Sequence, residues 1–403
     1  MIPSLARADF LKLPATRTAL AALGAEDGRT RVVGGAVRNT LLGQAVTDID
    51  FATQLLPEAV IARGERAGLE VVPTGLAHGT VTLVARGRPF EVTTLRADVE
   101  TDGRRAVVRF TEDWAEDASR RDFTMNALYC GADGTVHDPL GGYPDLLERR
   151  VRFIGDAEDR IREDYLRILR FFRFFAWYGR GRPDAEGLKA CARLKPGLAI
   201  LSAERVWGEL KRLFSAPDPT RALLWMRTTE VLQRALPESW GIDAIHRLVA
   251  AEPAEGWAPD TLLRLEAVLP PHRARLEALA DRLRLSKAEA ARLLAWAEAP
   301  EPSESLSEIE LSKLLYRTGV GPIADRLRHA LARERETAPE NVPLRRRQLA
   351  FLAGWDRPTF PLSGKDLLAE GMSAGPEMGR RLKQLEERWI ESGFSLEPAA
   401  LLH

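Results

Sequence analysis

Cysteine and histidine are scarce: the 403 residues hold two cysteines, Cys130 and Cys191, and six histidines. Two thiols make no disulfide framework and no zinc ligand set, so a reducing cytoplasm is the expected compartment. Long apolar runs are missing too. No stretch of about 18 apolar residues occurs, and the N-terminal stretch carries Arg7, Asp9 and Lys12. Neither a spanning helix nor a signal peptide is expected, and no membrane partner. There is also no excess of either charge, with 58 Lys plus Arg against 58 Asp plus Glu. That balance excludes a uniform basic field, so any nucleic acid must be met by local basic patches.

What is present fits a globular chain of two to four domains, with 45% hydrophobic and 29% charged residues. Up to Leu140 the pattern is mixed. Strand-like runs occur at Arg31–Val33, Asp48–Thr53, Gly79–Ala85 and Phe90–Leu95, and a short helix is expected at Ala36–Leu42, stopped by Gly43. After Asp138-Pro139-Leu140-Gly141-Gly142 the periodicity becomes helical, and no strand is expected beyond Gly155. Breaks at Arg180–Pro183, Ala251–Pro259 and Ala299–Ser305 suggest helical modules. The dipeptide His137-Asp138 stands alone and reads as part of a turn.

Chemistry concentrates in four places. In Asp48-Ile49-Asp50-Phe51, residues two apart share a strand face, so Asp48 and Asp50 project together. Paired carboxylates repel unless a cation lies between them, as in a two-Mg2+ phosphoryl-transfer site. Alone, so short a pattern is more often two solvated acids on an edge strand. Upstream, Val33-Gly34-Gly35-Ala36-Val37-Arg38 joins a strand to a helix start through glycines, a natural phosphate cradle with Arg38 in reach; the plain alternative is a tight turn. Glu91 is an acid within a strand-forming run, where it is locally disfavoured. In Asp117–Ala127, Asp117 and Arg121 face one another if helical, Arg120 and Arg121 suit a polyphosphate, and Asp122 with Asn126 makes an orienting pair; taken alone, a solvated helix face explains this segment as well.

Taken in order, these segments resemble class II tRNA nucleotidyltransferases of the polymerase-β superfamily. The match runs through Gly34–Arg38, Asp48–Asp50, Glu91–Arg96, Arg120–Ala127, Glu163–Arg170 and Ser202–Val206, and more weakly to Leu362–Leu368. The resemblance implies an α+β fold: a polymerase-β-like head with a small mixed sheet at 1–140, then a helical neck (141–215), body (216–300) and tail (301–403). It implies CCA addition to the 3′ end of tRNA from CTP and ATP, with Mg2+ on Asp48 and Asp50 and Glu91 as the third carboxylate. The implied nucleotide-binding residues are Gly34, Gly35, Arg38, Arg121, Asp122, Asn126, Asp164, Arg167, Arg170 and Arg173. Poly(A) polymerases and enzymes adding only A or only CC share these features. Here Val72–Val81 lacks the arginine-rich stretch of the former, and a loop over Arg96–Arg109 argues for full CCA addition. One departure is Asn39, where the family usually has Asp after Arg38.

The segment Glu163–Phe175 reads as one helix, with Ile168, Phe171, Phe172 and Phe175 inward and Arg167, Arg170 and Arg173 around the other side. Asp164 and Arg167, three apart, would then reach one ligand. Cytosine and adenine both offer an exocyclic amine to a carboxylate and a ring nitrogen to an arginine, whereas uracil and guanine turn a carbonyl toward Asp164. The resemblance makes this pair an amino-acid template, with Arg170 and Arg173 at the phosphates or in support. For RNA, Lys211-Arg212, Arg345-Arg346-Arg347 and Arg380, Arg381 and Lys383 are the basic candidates. Trp207, Trp225 and Trp296 read as packing, and His78 as a turn residue or a neighbour of the nucleotide.

Overall fold

The computed structural model describes residues 2–102 and 105–403. The chain divides into two compact units, Met1–Pro237 and Glu238–His403.

The first unit is built on a seven-stranded sheet. Its strands are β1 (Thr30–Val33), β2 (Asp50–Thr53), β3 (Glu70–Gly75), β4 (Thr80–Ala85) and β5 (Arg88–Thr94), with β8 (Tyr129–Cys130) and β9 (Val136–His137). A separate ribbon pairs β6 (Arg96–Asp102) with β7 (Arg105–Phe110). The spatial order is β3-β4-β5-β2-β1-β8-β9, and every neighbouring pair is antiparallel except β2 with β5.

Sequence pattern explains the sheet. In β4, Val81, Leu83 and Ala85 are buried and alternate with half-buried residues, the signature of one covered face. Central β2 buries Phe51, Ala52 and Thr53 in succession, because both its faces are covered. Phe51 stacks on Phe90 with ring centroids 5.3 Å apart. Burying such a ring stabilises by about 1.5–3 kcal/mol. The β4–β5 connection is the two residues Arg86 and Gly87, both at positive φ (51° and 76°), as a tight hairpin requires.

Two expectations shift here. The strand expected from Asp48 begins at Asp50. β1 pairs with β2 only as far as Val33↔Asp50, because Gly34 turns the chain away at φ 68°, and residues 48–49 have no partner strand on that side. The expected loop over Arg96–Arg109 is a two-stranded ribbon in the described residues, its ladder running from Arg96↔Phe110 to Asp102↔Arg105. Residues 103–104 lie outside the described residues.

Beyond Gly155 the described residues form helices and turns only. Asp138 closes the expected turn by accepting from the N–H groups of Gly142 (2.8 Å) and Tyr143 (2.9 Å). The expected break at Ala251–Pro259 comes late: helix Asp243–Glu255 carries Pro253 in its last turn and ends two residues after it. Within the second unit, Leu311, Leu315, Ile323, Leu327 and Leu352 form one core cluster, and Tyr316, Leu362, Leu367, Leu385, Trp389 and Leu401 another. The segment Leu362–Leu368 owes its pattern to this packing. Ser363 and Asp366 form a capping box that starts helix Gly364–Ala369, while Leu362 and Leu367 are buried. Two fully buried arginines are held by carboxylates: Arg264 by Glu252 and Arg345 by Glu334.

Candidate active site

Parallel pairing of β2 and β5 brings two carboxylates together from distant parts of the chain. Phe51 is in register with Val92, so Asp50 and Glu91 stand one position earlier on adjacent strands. Both line a cleft of about 590 Å3. Asp48 is exposed and lines an adjoining cavity of about 700 Å3, which shares Asp50 and Glu91 with the cleft. Ile49 and Phe51 point into the core as expected. The Asp50 oxygens open onto the cleft, yet protein crowds them. Loss of water, then the charges of Glu91 and Asp48, push its carboxyl up to about 6 against the opposing pull of Arg121.

Gly34 and Gly35 form the next wall. Gly34, at φ 68°, adopts a conformation that a side chain would strain, and its N–H donates to the Leu128 carbonyl at 3.1 Å. Helix Gly35–Leu41 follows and aims Arg38 inward, where the residue is only 7% exposed. Its guanidinium donates to Tyr178 Oη (2.7 Å), to Asn126 Oδ1 and, through Nε and Nη2, to Asn39 Oδ1 (3.0 and 2.9 Å). It lies 4.0 Å from the Tyr178 ring centroid. All these acceptors are neutral, and burial lowers the Arg38 pKa. Asn39 thus buttresses Arg38 without cancelling its charge, and its own Nδ2 donates to the Ala45 carbonyl at 2.9 Å.

The segment Asp117–Asn126 is no solvated face. The Asp117 side chain is 1% exposed and accepts from Arg120 (2.7 Å), Arg121 (3.1 Å) and Tyr129 Oη (2.8 Å). Burial works against its charge, but Arg121 and Arg120 overcome this and hold it below the usual carboxylate range. Helix Trp114–Ser119 ends before Arg121, so the Asp117–Arg121 pair forms across the helix end. Asp122 and Asn126 pair as expected, Asn126 Nδ2 donating to Asp122 Oδ1 at 2.9 Å. Burial would raise the Asp122 carboxyl; Arg170, Asn126 and the Phe123 N–H together hold it at about 2.

The single helix expected over Glu163–Phe175 is two. Helix Ala157–Glu163 ends, Asp164 is extended (φ −157°, ψ 106°), and helix Leu166–Tyr178 begins. Asp164, the last residue before the break, accepts at Oδ1 from the Leu166 N–H at 3.1 Å, and Tyr165 is the N-cap of the second helix. Asp164 and Arg167 still both line the cleft, although not as helix neighbours. Asp164 Oδ2 accepts from Arg205 at 2.6 Å, and Arg167 Nη1 donates to Glu163 and to the Arg160 carbonyl. Arg170 faces the cleft while holding Asp122. Arg173 is paired with the buried Glu209 and is not among the residues that line the cleft, which suits the supporting place that was one of its two expected ones.

Two of the lining arginines, Arg96 and Arg205, had no expected place at the nucleotide. Arg120, which the sequence suited to a polyphosphate, lines the cleft beside Arg121. Arg205 lay inside the recognised segment Ser202–Val206, but nothing local indicates a reach of 41 residues back to Asp164. In all, Arg38, Arg96, Arg120, Arg121, Arg167, Arg170 and Arg205 line the cleft against Asp50, Glu91, Asp122 and Asp164, seven cations to four acids. The lining of a chain of zero net charge thus holds more cations than acids, three of them paired from behind by Asp117 and Glu163.

Elsewhere the basic candidates sort unevenly. Arg345 is buried on Glu334 and Arg346 is bound to Glu255, while Arg347 is exposed. Arg380 and Lys383 are exposed. Trp207 and Trp296 are buried packing residues and Trp225 is half-buried. His78 is exposed, and its carbonyl accepts from Arg96.

Among the described residues no three His, Cys, Asp or Glu side chains close around a metal by themselves. Magnesium rarely needs such a cage. It binds through one or two carboxylates with substrate phosphates and water, and the mutual repulsion at Asp48, Asp50 and Glu91 is what a divalent cation relieves. No helix of the described residues is long and apolar enough to cross a membrane.

Comparison with known proteins agrees with this geometry. A family described as "Poly A polymerase head domain" matches residues 30–152, and one described as "Probable RNA and SrmB- binding site of polymerase A" matches 182–241. The chain is 36% identical to the mitochondrial CCA tRNA nucleotidyltransferase 1 of Mus musculus over 387 residues, covering 94% of this chain and 86% of that protein. It is 40% identical to the CCA-adding enzyme of Geobacillus stearothermophilus over 222 residues, 54% of this chain and 53% of that protein. The Bacillus stearothermophilus CCA-adding enzyme solved in complex with CTP superposes with a TM-score of 0.73 at 27% identity, covering 94% of each chain.

Proposed function

Since the chain belongs to the CCA tRNA nucleotidyltransferase family, we propose that it adds C, C and A to the 3′ end of tRNA, taking CTP and ATP without a nucleic-acid template. The observation that carries this reading is one cleft uniting paired carboxylates, a basic wall and the Asp164–Arg167 pair. In the reaction the tRNA 3′-oxygen attacks the α-phosphorus of the nucleotide, a phosphodiester forms, and pyrophosphate leaves. Asp48 and Asp50 hold Mg2+, with Glu91 as the third carboxylate. When bound, the ion makes the hydroxyl more acidic and offsets charge on the transferring phosphate.

The remaining work falls to this chain's side chains. Gly34 and Gly35 let phosphate approach the backbone, and Arg38, Arg120 and Arg121 face its charge. Asp117 fixes both Arg120 and Arg121, so their guanidinium planes are set before the nucleotide arrives. Asp122, held by Asn126 and Arg170, orients the wall behind them. Asp164 accepts the exocyclic amine of cytosine or adenine while keeping Arg205, since each carboxylate oxygen takes more than one hydrogen bond. Arg167 retains donors for the ring nitrogen. In this assignment 1–140 is the catalytic head, 141–215 the base-selecting neck, and 216–300 and 301–403 the body and tail that grip tRNA. The cytoplasm is the assigned compartment, where buried Cys130 and Cys191 stay as thiols.

The direct test uses a tRNA transcript ending before CCA. Two additions with CTP and a third only with ATP are expected. A long ladder with ATP alone would make the chain a poly(A) polymerase, and two additions with no third would make it a partial enzyme. A second expectation concerns selection: Asp164→Ala incorporates UTP and GTP, with preference for CTP falling about 100-fold. Single-turnover rates with each nucleotide measure this, and negligible UTP and GTP incorporation would remove Asp164 from the template.

A further inference from the structure

The cleft and its neighbouring cavity meet at Asp50 and Glu91, yet their walls differ. Seven arginines line the cleft. The neighbour is lined by Thr47, Asp48, Ile49, Thr82, Gly87, Arg88 and Pro89 besides the two shared acids, with Arg88 as its one cation. Arg88 is half-buried at the start of β5. Its Nη2 donates to the Thr47 carbonyl at 2.7 Å, and no carboxylate pairs with it among the described residues. The guanidinium thus has donors left over, held in a fixed place beside Asp48.

Phosphoryl transfer sets the nucleophile and the leaving group on opposite sides of phosphorus. If the basic cleft takes the triphosphate, and so the departing pyrophosphate, the attacking strand must come from across the shared carboxylates. The neighbouring cavity is on that side, and at about 700 Å3 it has room for a nucleotide. Building on the function proposed above, we infer that this cavity seats the last nucleotide of the acceptor RNA and that Arg88 binds its terminal phosphodiester. Arg88 is a positioning residue: it places the 3′-oxygen against Asp48 and Asp50 and takes no part in bond making.

The test sets Arg88→Ala against a chemical deletion of the same charge. Full-length protein is assayed with an acceptor whose last linkage is either a phosphodiester or a neutral methylphosphonate. With the normal acceptor, Arg88→Ala is expected to raise the acceptor KM about tenfold and leave the CTP KM unchanged, the loss of one charge-assisted hydrogen bond. The methylphosphonate is expected to cost wild type a similar factor and Arg88→Ala nothing more, because both remove the same contact. Losses that multiply would overturn the assignment. So would a fall in kcat with both KM values unmoved, which would make Arg88 merely a prop for the Thr47–Asp48 segment. Wild type that fails to extend even the normal acceptor would sink the parent reading, and this one with it.

Discussion

Asp50→Asn is expected to lower CMP addition at least about 1,000-fold, equivalent to about 4 kcal/mol of transition-state stabilisation, while the metal-free protein melts no lower than wild type. The two halves have one cause. Asp50 is crowded by Glu91 and Asp48 and loses water, so its charge is unfavourable until a cation arrives. Asn keeps the shape and removes the repulsion, a case of a site held at some expense to stability. Single-turnover extension and a thermal melt of the same preparation check it. Activity within tenfold of wild type, or a melting point several degrees lower, would contradict the role given to Asp50.

Arg264→Met is expected to destabilise the protein by about 3–5 kcal/mol, because it strands a buried carboxylate. Arg264 is fully buried and donates through Nε and Nη2 to Glu252 at 2.8 and 2.6 Å, with Glu252 only 3% exposed. For a unit the size of Glu238–His403 that corresponds to a fall of roughly 10 °C in its Tm. The double variant Arg264→Met, Glu252→Met is expected to recover most of the loss, since an apolar pair of similar volume needs no compensation. Calorimetry of the three proteins decides the matter. A single variant within about 1 kcal/mol of wild type would show that solvent reaches the pair.

Much of this was legible in the residues because local chemistry and fold agree there. Val81, Leu83 and Ala85 alternate as a half-covered strand must, and Gly34 sits where only a glycine turns freely. Asp122 and Asn126 form the pair their spacing suggested. Where the reading slipped, a long-range partner decided the outcome. Asp48 lies outside its strand because β1 ends at Val33, a fact about a neighbour. Asp164 breaks a helix that periodicity alone would continue, since its side chain accepts from the Leu166 N–H and so competes with the helical pattern. Arg345 looked like part of an RNA patch, but Glu334 buries it. Arg205 and Arg173 traded importance for the same reason: Glu209 draws Arg173 behind the wall, and Asp164 draws Arg205 into it.

The lone parallel pairing of β2 with β5 also bears on when the enzyme comes into being. β5 can join β2 only after the β3–β4–β5 meander has formed, because that meander is the connection between them. Such non-local pairing forms slowly, after local hairpins have collapsed. A chain emerging from the ribosome therefore carries Asp48 and Asp50 well before it has anything to set beside them. Until residue 94 has cleared the exit tunnel and the crossover has closed, Glu91 is not yet beside Asp48 and Asp50, and the nascent head lacks its third carboxylate.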